Sequence, residues 1–308
     1  MNTPAAPDWT RAVPDNGYAW WYIDALSDCG RYGLTIIAFI GSVFSPYYAW
    51  RRRRGPTPAM QHCALNIALY GPGGRWAMTE RGSSKVEPQT WRIGPSCIQR
   101  SPKGLRLELD EVCAPLPRRV RGQVQLEVHS GLDEALALDA EARHLWQPWG
   151  ANARVRVTLQ QPQLQWTGRA YADHNRGSEA LEQGFRRWHW SRFHQGDGCR
   201  IVYAAHPRRS AAQSLDLHIG PQGLQQLHSR APEQHLGRGF WGVERPILSE
   251  PTPQLLKAME DAPFYTRSHV RCQLDGQVLE GVHESLDLDR FAHPLVQLML
   301  PFRMPRRA

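Results

Sequence analysis

Long apolar runs are missing from this chain of 308 residues. The best of them, Leu34 to Phe44, covers eleven residues, far short of the roughly 20 that a membrane-spanning helix requires. Its Thr35, Gly41 and Ser42 and its many β-branched positions suit a buried strand better. No segment is expected to span a bilayer. Residues 1–17 are polar and carry prolines without an apolar stretch, so no secretory signal is expected. The six cysteines (29, 63, 97, 113, 199 and 272) form no C-x-x-C pair, which argues against a zinc site or a disulfide scaffold and suits a reducing cytoplasm. G-x-G-x-x-G, P-loop, G-x-S-x-G and H-E-x-x-H words are absent, and the 13 histidines lack ligand spacing. Neither a metal nor a cofactor is expected. Lysine is scarce, at Lys85, Lys103 and Lys257 only, so the net charge of +8 rests on arginine.

Alternation with period two dominates what is present. Leu105, Leu107 and Leu109 alternate with polar residues, and Val124, Leu126 and Val128 do the same. So do Val155, Val157 and Leu159, then Ile201 and Tyr203, Leu215, Leu217 and Ile219, and Val278, Glu280 and Val282. With 26 glycines and 24 prolines as punctuation, this predicts an all-β chain of antiparallel strands, in a sandwich or a barrel. Short helices are expected at Ala180–Arg187 and, after Ser249-x-Pro251, at Pro253–Asp261. Length and the Gln160-Gln-Pro162 break suggest two domains, 1–160 and 161–308. Tyr47-Tyr-Ala-Trp-Arg-Arg-Arg-Arg54 puts rings beside four arginines. It fits either a contact with an anionic membrane surface or a solvated loop. Nucleic-acid binding ranks below both, because the arginine run stands alone.

The chemistry-bearing stretch is Tyr171-Ala-Asp-His-Asn-Arg-Gly177. Leu164 to Ala170 alternate as a strand, which places Tyr171 and Asp173 on one face. His144 and Trp146 show the same spacing of two, and Trp188-His-Trp190 follows downstream. An acid beside a phenol and indoles suits proton chemistry in an apolar pocket. A strand end with an Asx-turn fits the same residues. Trp188 and Trp190 either pack or line a substrate tunnel. Glu284, Asp287 and Asp289 suggest a solvated face.

These words, together with Tyr18-Ala-Trp-Trp-Tyr-Ile-Asp-Ala25, Leu34 to Tyr48, Pro115-Leu-Pro-Arg-Arg-Val-Arg-Gly122, Asp261-Ala-Pro-Phe-Tyr-Thr-Arg267, His283 to Phe291 and Gln297 to Arg306, resemble the acyclic carotenoid 1,2-hydratases (hydroxyneurosporene synthases) of purple bacteria. The resemblance runs from about Val13 to the C-terminus. It implies two consecutive lipocalin-like β-barrels with few short helices, and a cofactor-independent hydro-lyase. The implied reaction adds water across the terminal C1=C2 bond of neurosporene or lycopene. It also implies a place in the spheroidene and spirilloxanthin pathway, in the cytoplasm, peripheral to the inner photosynthetic membrane. Asp173 takes the proton-donor role from the family, supported by Tyr171, His144 and Trp146, while Trp188 and Trp190 are candidate substrate contacts. Burial disfavours a charged carboxyl and would keep such an acid protonated. A charged His144 touching Asp173 would oppose that, so His144 either stays neutral or acts on the water from elsewhere. The alternative is a lipocalin-like protein that binds a carotenoid without changing it; a tunnel lined with some of the 12 tryptophans would suit either.

Overall fold

A computed structural model describes residues 4–307; residues 1–3 and 308 lie outside the described residues. Contacts divide the chain into two compact units. One runs to 137, resumes over 142–181 and includes the C-terminal stretch from 298; the other holds 138–141 and 182–297.

The first unit contains β1 (Tyr18–Ser27), β2 (Gly33–Ile40), β3 (Cys63–Tyr70), β4 (Arg75–Arg81), β5 (Lys85–Val86), β6 (Thr90–Ile93), β7 (Ser96–Ser101), β8 (Gly104–Val112), β9 (Arg119–Ser130), β10 (Leu136–Ala137), β11 (His144–Gln161) and β12 (Leu164–Gly177). They hydrogen-bond in the order β4-β3-β2-β1-β12-β11-β9-β8-β7-β6-β5, with β10 on β11 and Arg306–Arg307 parallel to β4. The sheet curls so that β4 lies against β8, where Arg81 meets the buried Glu111 at 3.0 Å. Burial pushes the Glu111 carboxyl up, and Arg81 opposes that shift. Inside the curl, the alternating leucines and valines of β8, β9 and β11 pack on Trp91 and Trp149. Each such side chain contributes about 1.5–3 kcal/mol of burial. Their polar neighbours point outward, so the period of two is the direct record of this one-sided core.

The second unit contains β13 (Phe185–Gln195), β14 (Gly198–Pro207), β15 (Gln213–Gly220), β16 (Gly223–Gln226), β17 (Glu233–Arg238), β18 (Glu244–Leu248), β19 (Gln254–Ala262), β20 (Tyr265–Leu274) and β21 (Gln277–Asp287). Seven form an antiparallel sheet in the order β16-β15-β14-β13-β21-β20-β19, and the β17–β18 ribbon lies against β13, β20 and β21. Ile247 of the ribbon joins Phe193, Val202, Val270 and Leu279 in its core. The fold is therefore nearly all-β and lipocalin-like, as expected. Helices are short: α1 (Pro46–Arg52), α2 (Leu181–Gly184), α3 (Leu288–Ala292) and α4 (Pro294–Met299). Among the described residues no helix is long and apolar enough to cross a membrane. The six cysteines are free thiols.

Several local expectations differ from the structure. Pro253–Asp261 is not a helix: Gln254–Ala262 is the edge strand β19, paired with β20. Its Leu, Lys, Ala, Met and Glu favour a helix only weakly, and cross-strand pairing overrides them. Of Ala180–Arg187 only Leu181–Gly184 is helical, because Phe185 already enters β13. Tyr47–Arg54 is largely the helix α1, capped by the Ser45 side chain and started by Pro46. Val278 sits exposed near the β20–β21 turn, and Leu279 turns inward instead. Glu284 is not on a solvated face but is buried and bonded to Arg267, while Asp287 caps α3 by accepting from the Arg290 backbone. The division placed after Gln160 lies at the turn of the β11–β12 hairpin; the units separate after Leu181, because β12 pairs with both β11 and β1.

Candidate active site

β8 and β9 alternate between buried and exposed, but β1, and β12 from Ala170 to Asn175, are buried on both faces. On β1 and β12 the inner face carries Trp21, Ile23, Ala25, Ala170 and Ala172 into the core of the first unit. The opposite face carries Tyr18, Trp20, Tyr22 and Asp24 from β1 and Tyr171, Asp173 and Asn175 from β12, by the period of two. A face rich in phenols, indoles and carboxyls, yet buried, is the candidate site.

Asp173 is 5% exposed and holds three donors. Tyr171 Oη and Trp146 Nε1 each donate to its Oδ2 at 3.0 Å, and Asn175 Nδ2 donates to its Oδ1 at 3.0 Å. Trp146 reaches it because β11 pairs with β12 so that Trp146 lies opposite Asn175. His144 stands beside this cluster. Its Nδ1 meets Tyr18 Oη at 2.8 Å and its Nε2 meets Glu179 Oε1 at 3.2 Å. The tension between a charged His144 and an acidic Asp173 is eased by this placement, since both ring nitrogens face other groups. Opposite His144 on β12 stands Gly177, where a Cβ would come within 2.4 Å of the Tyr18 ring and 2.8 Å of His144 Nδ1. A glycine is needed there for Tyr18 and His144 to meet.

The rings continue along β1 and β2. Tyr18 and Trp20 stack at 4.9 Å, and Trp20 meets Phe39 at 6.2 Å. Tyr22 meets Tyr171 edge-on at 6.2 Å and donates to Asp24 Oδ2 at 3.3 Å. His174 alternates to the other face, packed at a tilt against Trp21 at 4.4 Å and bonded to the Trp20 carbonyl. Burial pushes its imidazole down to about 3, and Arg176 and Arg11 add to the shift.

The structure thus gathers Asp173, Tyr171 and Trp146 into one hydrogen-bonded group with His144 adjacent. Trp188 and Trp190 belong to the second unit, on β13, where Trp188 packs edge-on against Phe185 and Tyr203 at 6.0 and 6.1 Å. Asn175, Tyr18, Glu179, Tyr22 and Asp24 were missed from the sequence. For Tyr22 and Asp24 a signal existed: Tyr22-Ile-Asp24 repeats the Tyr-x-Asp pattern of Tyr171-Ala-Asp173. Among the described residues no group of three or more His, Cys, Asp or Glu side chains is arranged to hold a metal ion.

The chain is similar to known proteins over most of its length. The family described as carotenoid hydratase CrtC matches residues 36–308. The acyclic carotenoid 1,2-hydratase of Thiocapsa roseopersicina is 44% identical over 318 residues, covering 99% of this chain and 78% of its own. That of Rubrivivax gelatinosus is 42% identical over 313 residues, covering 98% and 77%. Among solved structures, a Nitrosomonas europaea protein assigned to AttH superposes with a TM-score of 0.57 at 14% identity, over 87% of this chain and 92% of that one; it supports the fold alone. On the match to the family and on relatives spanning nearly its whole length, the chain belongs to the CrtC carotenoid hydratase family.

Proposed function

We propose that this protein is a carotenoid 1,2-hydratase, a hydro-lyase that adds water across the terminal C1=C2 bond of acyclic carotenes such as neurosporene and lycopene. The observation that carries the reading is Asp173, buried on an aromatic face beside Tyr171 and Trp146, in a chain of the hydratase family. The alkene bears no activating group, so the reaction begins with a proton. Asp173 delivers it to C2, a tertiary cation forms at C1, and water captures the cation to give the 1-hydroxy carotenoid. No redox step is involved, and no cofactor is required by this chemistry.

Each neighbour has a task. Tyr171 and Trp146 hold the carboxyl through Oδ2 and offer ring faces to the cation, an attraction of about 2 kcal/mol when desolvated. A gain of 1.36 kcal/mol is about tenfold in rate. Asn175 serves both forms of the acid: its amide nitrogen donates to the carboxylate, and its oxygen, after a half-turn, accepts from the protonated acid. His144, held by Tyr18 and Glu179, fixes the edge of the site. Trp188 and Trp190 contact the polyene, a role supported by their buried, apolar rings. A carrier role without turnover is not favoured, since such a carrier gains nothing from a buried acid.

The substrate is membrane-borne, and contact with an anionic membrane at the inner face of the cell fits the surface. Tyr48 anchors α1 by donating from its hydroxyl to the Gly17 carbonyl at 2.7 Å. Arg51, Arg53 and Arg54 are exposed, beside the half-buried Tyr47 and Trp50, and Leu298 and Phe302 stand exposed near the C-terminus. Reversing the charge of Arg51, Arg53 and Arg54 should lower binding to phosphatidylglycerol vesicles and slow turnover of vesicle-held lycopene but not of detergent-dispersed lycopene. Equal losses in both would remove the membrane role.

Purified protein incubated with lycopene or neurosporene and no added cofactor should yield hydroxylated products on chromatography. In heavy water each addition should place one deuterium at C2. Binding without conversion of either carotene would overturn the reading.

A further inference from the structure

The Tyr-x-Asp pattern occurs on two neighbouring strands, as Tyr22-Ile-Asp24 on β1 and Tyr171-Ala-Asp173 on β12. Their antiparallel register sets Tyr22 opposite Asp173 and Asp24 opposite Tyr171. Each tyrosine donates to the carboxyl two residues further along its own strand, at 3.3 Å for Asp24 and 3.0 Å for Asp173. The outcome is a locally twofold pair of buried carboxyls on one face, at diagonal positions of a strand pair, where residues lie about 7–8 Å apart. Acid and base carboxyls that must leave room for a water between them stand about 6.5–9.5 Å apart in inverting glycosidases.

The two halves of this pair differ in their surroundings. Asp173 holds three donors, from Tyr171, Trp146 and Asn175. Asp24 is fully buried, and on its far side its direct partner across β1 and β2 is Thr35. Thr35 is 3% exposed, and its hydroxyl makes no hydrogen bond to the protein. A buried hydroxyl left in that way costs about 1–3 kcal/mol. Hydroxyl and carboxylate side by side offer one water a donor and an acceptor.

We propose that Asp24 is the base that takes the proton from the attacking water, and that Thr35 is the positioning residue that holds this water. The assignment rests on the hydratase reading. Asp173 loses its proton to C2, where the alkene π pair forms the new C–H bond. The water oxygen forms its bond to C1, and one water O–H breaks toward the Asp24 carboxylate. The cycle leaves Asp24 protonated and Asp173 ionised. The Tyr171 hydroxyl, bonded to Asp173 and set across from Asp24, lies on the route by which that proton returns.

The test uses detergent-dispersed lycopene in heavy water with two readouts, hydroxylated product and deuterium in the recovered lycopene. Without the base, the cation formed by Asp173 is not captured and returns to alkene by losing a proton from C2, which leaves deuterium behind. Asp24→Asn should cut product by about 100-fold or more, within the range of general-base catalysis, while exchange into lycopene persists. Asp24→Glu should restore part of the product. Thr35→Val should lower the ratio of product to exchange by about tenfold, the effect of 1.36 kcal/mol. Product and exchange falling together in Asp24→Asn, or an unchanged ratio in Thr35→Val, overturns the assignment. Should Asp24→Asn not fold, the Thr35→Val ratio decides. Wild-type protein that neither hydrates nor exchanges overturns the hydratase reading itself, and this assignment with it.

Discussion

Both units bury a chain of polar side chains in a sheet, but they build it from different acids and bases. The first unit sets carboxyls among phenols and indoles: Asp173 with Tyr171 and Trp146, and Asp24 with Tyr22. The second unit sets imidazoles among hydroxyls. Ser191 Oγ meets His283 Nδ1 at 2.8 Å, His283 Nε2 meets Ser285 Oγ at 3.1 Å, and Ser285 Oγ meets His189 Nδ1 at 3.1 Å. His189, Ser191 and His283 border a cavity of about 210 Å³ with Val202, Ile247 and Leu248. Burial pushes His189 down to about 2 and His283 down to about 3, so both are neutral near pH 7. A neutral imidazole has no proton to give an unactivated alkene. Burial therefore disarms both histidines of the second unit as acids, because it disfavours their charged form.

The largest effect that would break this contrast comes from the acid. Asp173→Asn keeps the shape of the side chain and removes its transferable proton. Hydration of lycopene should fall by about 10³-fold or more, within the span of general-acid effects plus lost positioning. Carotene binding, followed by quenching of tryptophan fluorescence, should survive. Turnover near that of the wild type would transfer the acid's role elsewhere.

A middle-sized effect sharpens the same comparison. Tyr171→Phe and Trp146→Phe each delete one donor to Asp173 Oδ2. Each should lower kcat by about tenfold, since a hydrogen bond of this kind contributes about 1–1.5 kcal/mol. Both donors meet one oxygen, so the double variant should lose less than the product of the single losses. Strict multiplicativity would mean that the two side chains act separately, on the cation and not through the carboxyl.

How far the sequence revealed these two networks depends on how local each signal is. Tyr171, Asp173, His144 and Trp146 lie two apart in pairs, and the period of a strand suffices to aim each pair. Alternation at Leu105–Leu109 and Val124–Val128 exposed the one-sided core of the first unit for the same reason. Asp24 escaped because Trp20-Trp-Tyr-Ile surrounds it with apolar residues, and a continuous apolar run gives no period from which to assign faces. Only the β1–β12 register, set by residues about 150 apart, shows that it confronts Tyr171. The histidine–serine chain is hidden in a similar way: Ser191 and His283 sit on β13 and β21, far apart in sequence, and meet only through pairing. Gln254–Ala262 misled in the opposite direction, since a helix-favouring composition lost to an edge pairing that no local signal announces.

The smallest effect on turnover, and the sharpest test of the contrast, comes from the second unit. His189→Gln and His283→Gln should leave hydration within about threefold of wild type, below the 1.36 kcal/mol that tenfold represents. Their effect should appear in acid stability instead. Both histidines have folded values depressed below the ordinary 6.5, so the unfolded chain binds protons that the folded chain refuses. Stability from this source is complete above about pH 7 and declines as pH falls through the unfolded value, with further loss until the folded values near 2 and 3 are reached. Each histidine should cost roughly 2 kcal/mol between pH 7 and pH 5. His174 of the first unit, pushed down to about 3, adds a third term of the same sign. Urea unfolding of the wild type across that range should therefore show stability dropping with acid. Replacing one histidine of the pair should flatten the slope by about one proton, even where the substitution lowers stability at pH 7. A slope unchanged in both variants would mean that these imidazoles are charged in the folded protein. The second unit would then hold proton donors after all, and the division of labour between carboxyls and histidines would fail.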